Sequence, residues 1–360
     1  TLSDAKELLV SINALEIDHK EGEPDGGIVI DQQIGRAHFE AFLYHENNDA
    51  YDPKAVQHSD EKLSEPMSKY YINTSHNTYL SGDQLQSASS VESYARALRR
   101  GCKCLELDCW DGDATPKKNG DTKNLHPVVF HGHTLTSKIL FGDILLVVRT
   151  YLDDTPDTYP IILSLENNCS HPYQTVMAKL LVKTLGDKLY VPVSEPSGDL
   201  PSPESLRGYV IIKGKRPPDP DDAPVDTEEE EDPYEITDDS LKADSSPSSR
   251  DKATKKNGET KKPPKFVKEL ARLTLFHGTK WKSFEKSIAE PNSHMHSISE
   301  SKMGKILSKP SQASLWREYN EHHMTRTYPA GTRVDSSNYH PLQAWSVGCQ
   351  MVALNFQTTD

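Results

Sequence analysis

Nowhere in the 360 residues does an unbroken apolar run approach the roughly 20 residues of a membrane-spanning helix. The first residues, Thr1 to Lys6, have no basic stretch running into an apolar core, so no secretory leader is read there. The chain is therefore expected to be soluble and cytoplasmic. Beginning at Thr1 rather than at a methionine, it reads as an excised or processed piece of something longer. Cysteine is scarce: there are five, and three of them (Cys102, Cys104, Cys109) share one apolar segment. An odd count so clustered argues against a disulfide framework and for reduced, buried thiols. No second Cys/His pair follows Cys102 and Cys104 at finger-like spacing, so no zinc site is expected. Hydrophobic residues make up 35% of the chain, enough for one large core such as a (β/α) barrel of about 250 residues.

The net charge of −13 is unevenly spread. Residues 217–264 hold 15 acidic and 7 basic residues, so this segment carries −8 and leaves −5 for the rest. Rich in Pro, Asp, Glu and Ser, it has too few apolar side chains to offset the cost of ordering the chain, and is expected to be a disordered acidic linker. No nucleic-acid partner is expected. The linker divides the remainder into a small N-terminal piece, 1–65, and two larger parts, 66–216 and 265–360.

In the first large part, short apolar, β-branched runs alternate with helical patterns, which signals parallel strands in an α/β fold. The strand candidates are Tyr70–Thr74, Lys103–Cys109, Pro127–Phe130, Pro160–Leu165 and Tyr209–Ile212. Ser90–Arg100, Ile139–Leu152 and Tyr173–Leu185 carry apolar residues at three-to-four spacing and read as helices. Beyond the linker, Leu270–Phe276, Met295–Ile298 and Met324–Tyr328 would raise the strand count to eight. A (β/α)8 barrel of the triosephosphate-isomerase type follows, with its chemistry at the C-terminal ends of the strands.

Polar residues interrupt these runs in a pattern that suggests a metal and an anion. In C-L-E-L-D-C-W-D-G, Glu106 and Asp108 stand two apart and so share one strand face, where two carboxylates would repel unless a cation offset them. Glu166 ends the run P-I-I-L-S-L-E, and Asn77 offers an amide oxygen in S-H-N-T-Y-L. Three carboxylates and an amide make a hard oxygen set suited to Ca²⁺ or Mg²⁺ rather than zinc. Taken singly, Asn77 could be a turn residue and Glu166 a helix-capping acid. His76 and His131 fall at comparable points, where a pair of imidazoles could assist attack on a phosphate and departure from it. Lys213, Lys215 and Arg326 add cations suited to phosphate groups.

The runs S-H-N-T-Y-L, G-C-K-C-L-E-L-D-C-W-D-G, H-G-H-T-L-T-S-K, I-L-S-L-E-N and L-P-S-P-E-S-L-R-G-Y-V-I-I-K-G-K resemble the first catalytic half (X) of eukaryotic phosphoinositide-specific phospholipases C. S-I-S-E-S-K, R-T-Y-P-A-G-T-R-V-D-S-S-N-Y and G-C-Q-M-V-A-L-N-F-Q-T resemble the second half (Y), in a delta-like simple layout. The resemblance implies one catalytic Ca²⁺ ligated by Asn77, Glu106, Asp108 and Glu166. It makes His76 and His131 the catalytic histidines, with Glu106 the more apt base, and Lys213, Lys215, Ser297, Arg326 and Tyr328 the head-group binders. The implied reaction is hydrolysis of phosphatidylinositol 4,5-bisphosphate to diacylglycerol and inositol 1,4,5-trisphosphate through a cyclic phosphodiester. The implied partner is an anionic, phosphoinositide-containing membrane, touched peripherally through Leu85 and Leu135 at the barrel rim. Thr332 stands where close relatives often have Trp. The N-terminal run A-H-F-E-A-F-L-Y-H resembles the last helix of an EF-hand-like region, and the preceding segment lacks the oxygen ligands of a calcium loop, so no calcium is expected there. Two rival readings stand beside this one: a glycerophosphodiesterase on a similar barrel, and a catalytically silent phosphoinositide-binding scaffold.

Overall fold

The computed structural model describes residues 63–117, 122–193, 198–215 and 266–358. All but the last three residues of the N-terminal piece expected at 1–65, and the acidic linker, lie outside the described residues. Eight parallel strands close into a barrel: β1 (Thr74–Ser75), β2 (Cys104–Trp110), β5 (Ile161–Asn167), β6 (Val210–Gly214), β7 (Thr274–Gly278), β8 (His294–Ser299), β9 (Met324–Tyr328) and β10 (Met351–Leu354). Closure comes from β1, which pairs with β10 on one side and β2 on the other. A short antiparallel ribbon, β3 (Val128–Val129) and β4 (Ile139–Leu140), extends the end of β2 and lies outside the ring.

Three sequence expectations are corrected here. Pro127–Phe130 was expected in the barrel, but its Val128 and Val129 pair antiparallel to Trp110 and Cys109. The eighth barrel strand is instead Met351–Leu354, in register with β9 through Met351 and Arg326. Ile139 belongs to this ribbon, so the helix α2 begins at Phe141, and Leu270 belongs to a short helix rather than to β7.

Helices pack outside the ring: α1 (Val91–Arg99), α2 (Phe141–Asp154), α3 (His171–Leu185), α4 (Lys268–Ala271), α5 (Phe284–Ser287), α6 (Glu300–Leu307), α7 (Pro310–Asn320) and α8 (Leu342–Trp345). The Ser90 hydroxyl caps α1 by accepting from the Glu92 amide. Leu105, Leu107 and Cys109 of β2 and Leu163 and Leu165 of β5 face this helical layer in one apolar cluster. The alternate residues face inward, as the period of two requires. Cys104, Ile162, Ile211, Phe276, Met295, Met324 and Met351 fill the barrel's lower interior. Two residues further along the same inward faces stand Glu106, Ser164, Lys213, Ser297 and Arg326, and then Asp108, Glu166 and Tyr328. Each strand thus spends its apolar inward position on the core and its next ones on the mouth.

The outward face of β8 buries His296 beneath α7, its ring stacked on Tyr319 at 5.1 Å and its Nδ1 donating to the Thr279 carbonyl at 3.0 Å. Burial pushes this imidazole down to about 4 from its ordinary 6.5, and burial lowers the neighbouring His323 as well. Because the folded value is the lower one, neutral His296 costs nothing above pH 6.5, and the fold weakens as the pH falls from there toward 4. Denaturant titration should show a loss of about 2 kcal/mol between pH 7 and pH 5 attributable to this ring. In His296→Asn, which keeps a donor for Thr279 but has no proton to gain, that loss should shrink. Equal pH slopes in both proteins would refute it.

A candidate active site at the barrel mouth

At the C-terminal end of the barrel a cavity of about 170 Å³ has room for on the order of ten waters and opens to solvent. Eight of the sequence-predicted residues line it: His76, Asn77, Glu106, Asp108, His131, Glu166, Arg326 and Tyr328. The β2–β5 register sets Asp108 directly beside Glu166, and Glu106 lies two residues back on the same inward face. Oxygen atoms of these three carboxylates fall within 4.8 Å of one another. Glu106 and Asp108 are only 4% and 5% exposed. Like charges so crowded and desolvated favour a cation, and an all-oxygen donor set suits a hard one such as Ca²⁺ or Mg²⁺.

The surrounding bonds hold Glu106 and Asp108 in place. Glu106 accepts the Asn77 amide N–H on Oε2 at 2.8 Å and the Arg326 guanidinium on Oε1 at 2.5 Å. Asp108 accepts the Tyr79 hydroxyl on Oδ2 at 2.6 Å. Burial first, and then the charge of Asp108, hold the Tyr79 phenol well above its ordinary value, so it remains a donor. Asn77 is both a turn residue, at φ 40°, and a residue lining the cavity. Glu166 lies within β5, ahead of α3, and caps no helix.

The two histidines approach from different supports. His76 follows β1, donates Nδ1–H to Asn355 Oδ1 at 2.8 Å, and stacks near Tyr328 at 6.5 Å. Desolvation lowers its pKa from 6.5; Glu106 opposes that shift and Arg326 reinforces it. His131 does not end a barrel strand. It follows the β3 ribbon, with Nδ1 donating to the Gln84 carbonyl at 2.6 Å. Since a carbonyl only accepts, the Nδ1 of His131 carries a proton. Its neighbour must be glycine, because a Cβ at Gly132 would come within 2.0 Å of the Trp110 ring.

Lys213 and Ser297 are buried on the inward faces of β6 and β8, and Lys215 is half-buried just past β6. None of these three lines the cavity described above. Arg326, 2% exposed, does, with Tyr328 beneath its guanidinium at 5.4 Å. At the rim, Leu85 and Leu135 are exposed, Leu135 by 86%, and the Leu135 amide donates to the Leu85 carbonyl at 2.9 Å. Exposed Val334 joins them around one shallow depression, and Thr332 is exposed nearby. Sequence reasoning passed over Val334, Gln84, Asn355 and Ser336. Only position offered a signal: Gln84 closes the loop after S-H-N-T-Y-L, and Asn355 follows the last strand.

Residues 63–216 match the X domain of phosphatidylinositol-specific phospholipase C, and residues 270–360 match its Y domain. Among curated proteins, the chain is similar to 1-phosphatidylinositol 4,5-bisphosphate phosphodiesterase delta-3-A of Danio rerio. Identity there is 38% over 323 residues, covering 89% of this chain and 38% of the relative. The human delta-1 enzyme is 38% identical over 309 residues, covering 83% of this chain and 38% of its own length. The chain thus spans well under half of these relatives. Its fold is similar to the crystal structure of S. officinalis PLC21, with a TM-score of 0.69 and 29% identity over 100% of this chain and 41% of that one. The L. pealei PLC21 structure gives 0.68 and 31%, over 100% and 42%.

Proposed function

The chain belongs to the phosphoinositide-specific phospholipase C family, and from that premise we propose that it hydrolyses phosphatidylinositol 4,5-bisphosphate in a calcium-dependent reaction at a membrane surface. The observation that carries this reading is the convergence of two histidines, three carboxylates, Arg326 and Tyr328 on one cavity at the barrel mouth. A calcium ion held by Asn77, Glu106, Asp108 and Glu166 would acidify the inositol 2-hydroxyl and offset phosphate charge.

Glu106 takes the hydroxyl proton. Its Oε1 is engaged by Arg326, and a ring phosphate that draws the guanidinium to itself releases that oxygen. Asp108 suits the task less well, because Tyr79 keeps a proton on its Oδ2. As the hydroxyl attacks the 1-phosphate, the arriving negative charge favours protonated His76, whose Nε2–H then donates to a phosphoryl oxygen. His131 Nε2 protonates the departing diacylglycerol oxygen. The resulting cyclic phosphodiester is opened by water from which His131 removes a proton, the bond to the inositol 2-oxygen breaks and Glu106 returns its proton to that oxygen, giving inositol 1,4,5-trisphosphate.

Lys213, Lys215 and Ser297 serve the ring phosphates from the β6 and β8 side, and Leu85, Leu135 and Val334 touch the lipid surface. No helix among the described residues is long and apolar enough to cross a membrane.

Head-group release from the bisphosphate lipid, from phosphatidylinositol and from glycerophosphoinositol tests the proposal. The account expects the first to be fastest. A preference for the glycerol diester would favour a glycerophosphodiesterase, and binding without release would favour a silent scaffold. Lys213→Ala should lower kcat/KM on the bisphosphate lipid by about 10- to 100-fold, the worth of one charge-assisted contact, and affect phosphatidylinositol far less. Equal losses on both lipids would remove Lys213 from the head-group pocket.

A further inference from the structure

We propose that Gln84 is a positioning residue whose hydrogen bonds, running in one fixed direction, turn the Asn77 amide oxygen toward the carboxylates and hold Nδ1 of both histidines. The inference rests on reading the mouth as a calcium-dependent phosphodiesterase site. Gln84 is 3% exposed and sits in the loop between β1 and α1.

The direction follows from carbonyls that can only accept. Ser336 has a single hydroxyl proton and gives it to the Gly82 carbonyl at 2.7 Å. Its oxygen must then accept from Gln84, at 2.8 Å, and so Gln84 presents its NH2 there. The Gln84 Oε1 is consequently on the other side, where it accepts Asn77 Nδ2 at 2.8 Å. That bond leaves the Asn77 oxygen as the amide atom offered to the cavity. A second carbonyl fixes the histidine branch. Asn355 Nδ2 donates to the Ser337 carbonyl at 3.2 Å, so its Oδ1 faces Gln84 Nε2 at 3.3 Å and His76 Nδ1 at 2.8 Å. The His131 branch uses the Gln84 main chain, whose carbonyl accepts Nδ1–H at 2.6 Å while its amide is anchored on the Val334 carbonyl at 2.8 Å.

Two members of the relay, Asn77 at φ 40° and Ser336 at φ 63°, occupy the left-handed region that non-glycine residues avoid. Such backbone persists where surrounding bonds over-determine it, and here the bonds that do so are those of the relay.

Two substitutions separate the branches. Gln84→Met removes all three side-chain bonds, so Asn77 loses its orientation. Calcium affinity, measured by calorimetry on the substrate-free protein, should fall about 10- to 100-fold, as when the outer partners of metal ligands are removed. Gln84→Glu keeps an acceptor for Asn77 but not the donor to Asn355, which must turn its NH2 to the new carboxylate and withdraw the acceptor from His76. This variant should retain calcium affinity yet lose about tenfold or more in kcat, with KM little changed. Long-range ¹H–¹⁵N spectra of the imidazoles should show His76 leaving the Nδ1–H tautomer in Gln84→Glu, and His131 retaining it in all three proteins. Melting temperatures establish that each variant is folded. The proposal is overturned if folded Gln84→Met binds calcium as wild type does, if both variants lose calcium equally, or if the His76 tautomer is unmoved. A wild-type protein that binds no calcium would instead overturn the reading of the site, while the tautomer result still judges the relay.

Discussion

Replacement of His131 by alanine is expected to lower turnover of phosphatidylinositol 4,5-bisphosphate by roughly 10²- to 10⁴-fold, the usual worth of a positioned general acid. The geometry supports so large an effect because the ring has one assignable role. Its Nδ1 proton is committed to the Gln84 carbonyl, and the Thr136 hydroxyl fixes its main chain at 3.1 Å, so only Nε2 can exchange a proton with substrate. A substrate whose leaving group needs no proton should lose much less than the natural lipid. Equal losses on the two would show that His131 is not the acid, and a normal rate on both would remove it from the reaction.

Asp108→Asn is expected to abolish calcium-dependent activity while leaving the fold unchanged. The substituted amide still offers an oxygen to the Tyr79 hydroxyl, so the local bonds survive, but one of three crowded carboxylate charges is gone. Glu106→Gln should abolish activity too, although it is a less clean test. Glu106 also pairs with Arg326 in the barrel interior, and neutralising it leaves a buried guanidinium without its counter-charge. The melting temperature of Glu106→Gln should therefore fall further than that of Asp108→Asn. Calcium titration of activity checks the first expectation and thermal unfolding the second; normal calcium dependence in Asp108→Asn would remove it from the ligand set.

The parts of this site that could be read from sequence were those obeying a local rule. Glu106, Asp108 and Glu166 interrupt apolar strands at a period of two, and that period is the reason they share the inward face. Barrel membership was less legible in short strands. β1 has two residues and β10 four, too few to stand out against their flanks, whereas Pro127–Phe130 has the composition of a barrel strand and pairs elsewhere. Composition records that a segment is apolar and extended, but not which neighbour it finds. His131 was read at the end of the Pro127–Phe130 run as if that run were a barrel strand, whereas the ribbon that carries it lies outside the ring, and only the resemblance to a family motif pointed to it independently of that placement. Gln84, Ser336 and Asn355 gave no pattern, because their function arises from contacts between loops 252 and 271 residues apart. Lys213, Lys215 and Ser297 were legible as polar residues late on their strands, yet they lie outside the cavity lined by Arg326.

The most direct test of the account is release of inositol trisphosphate from vesicles containing phosphatidylinositol 4,5-bisphosphate, followed across buffered free calcium with wild type and Asp108→Asn side by side. The account predicts that wild-type release rises with calcium and stops on chelation, while Asp108→Asn stays near background throughout. Release that ignores the chelator, or that persists in Asp108→Asn, would contradict it.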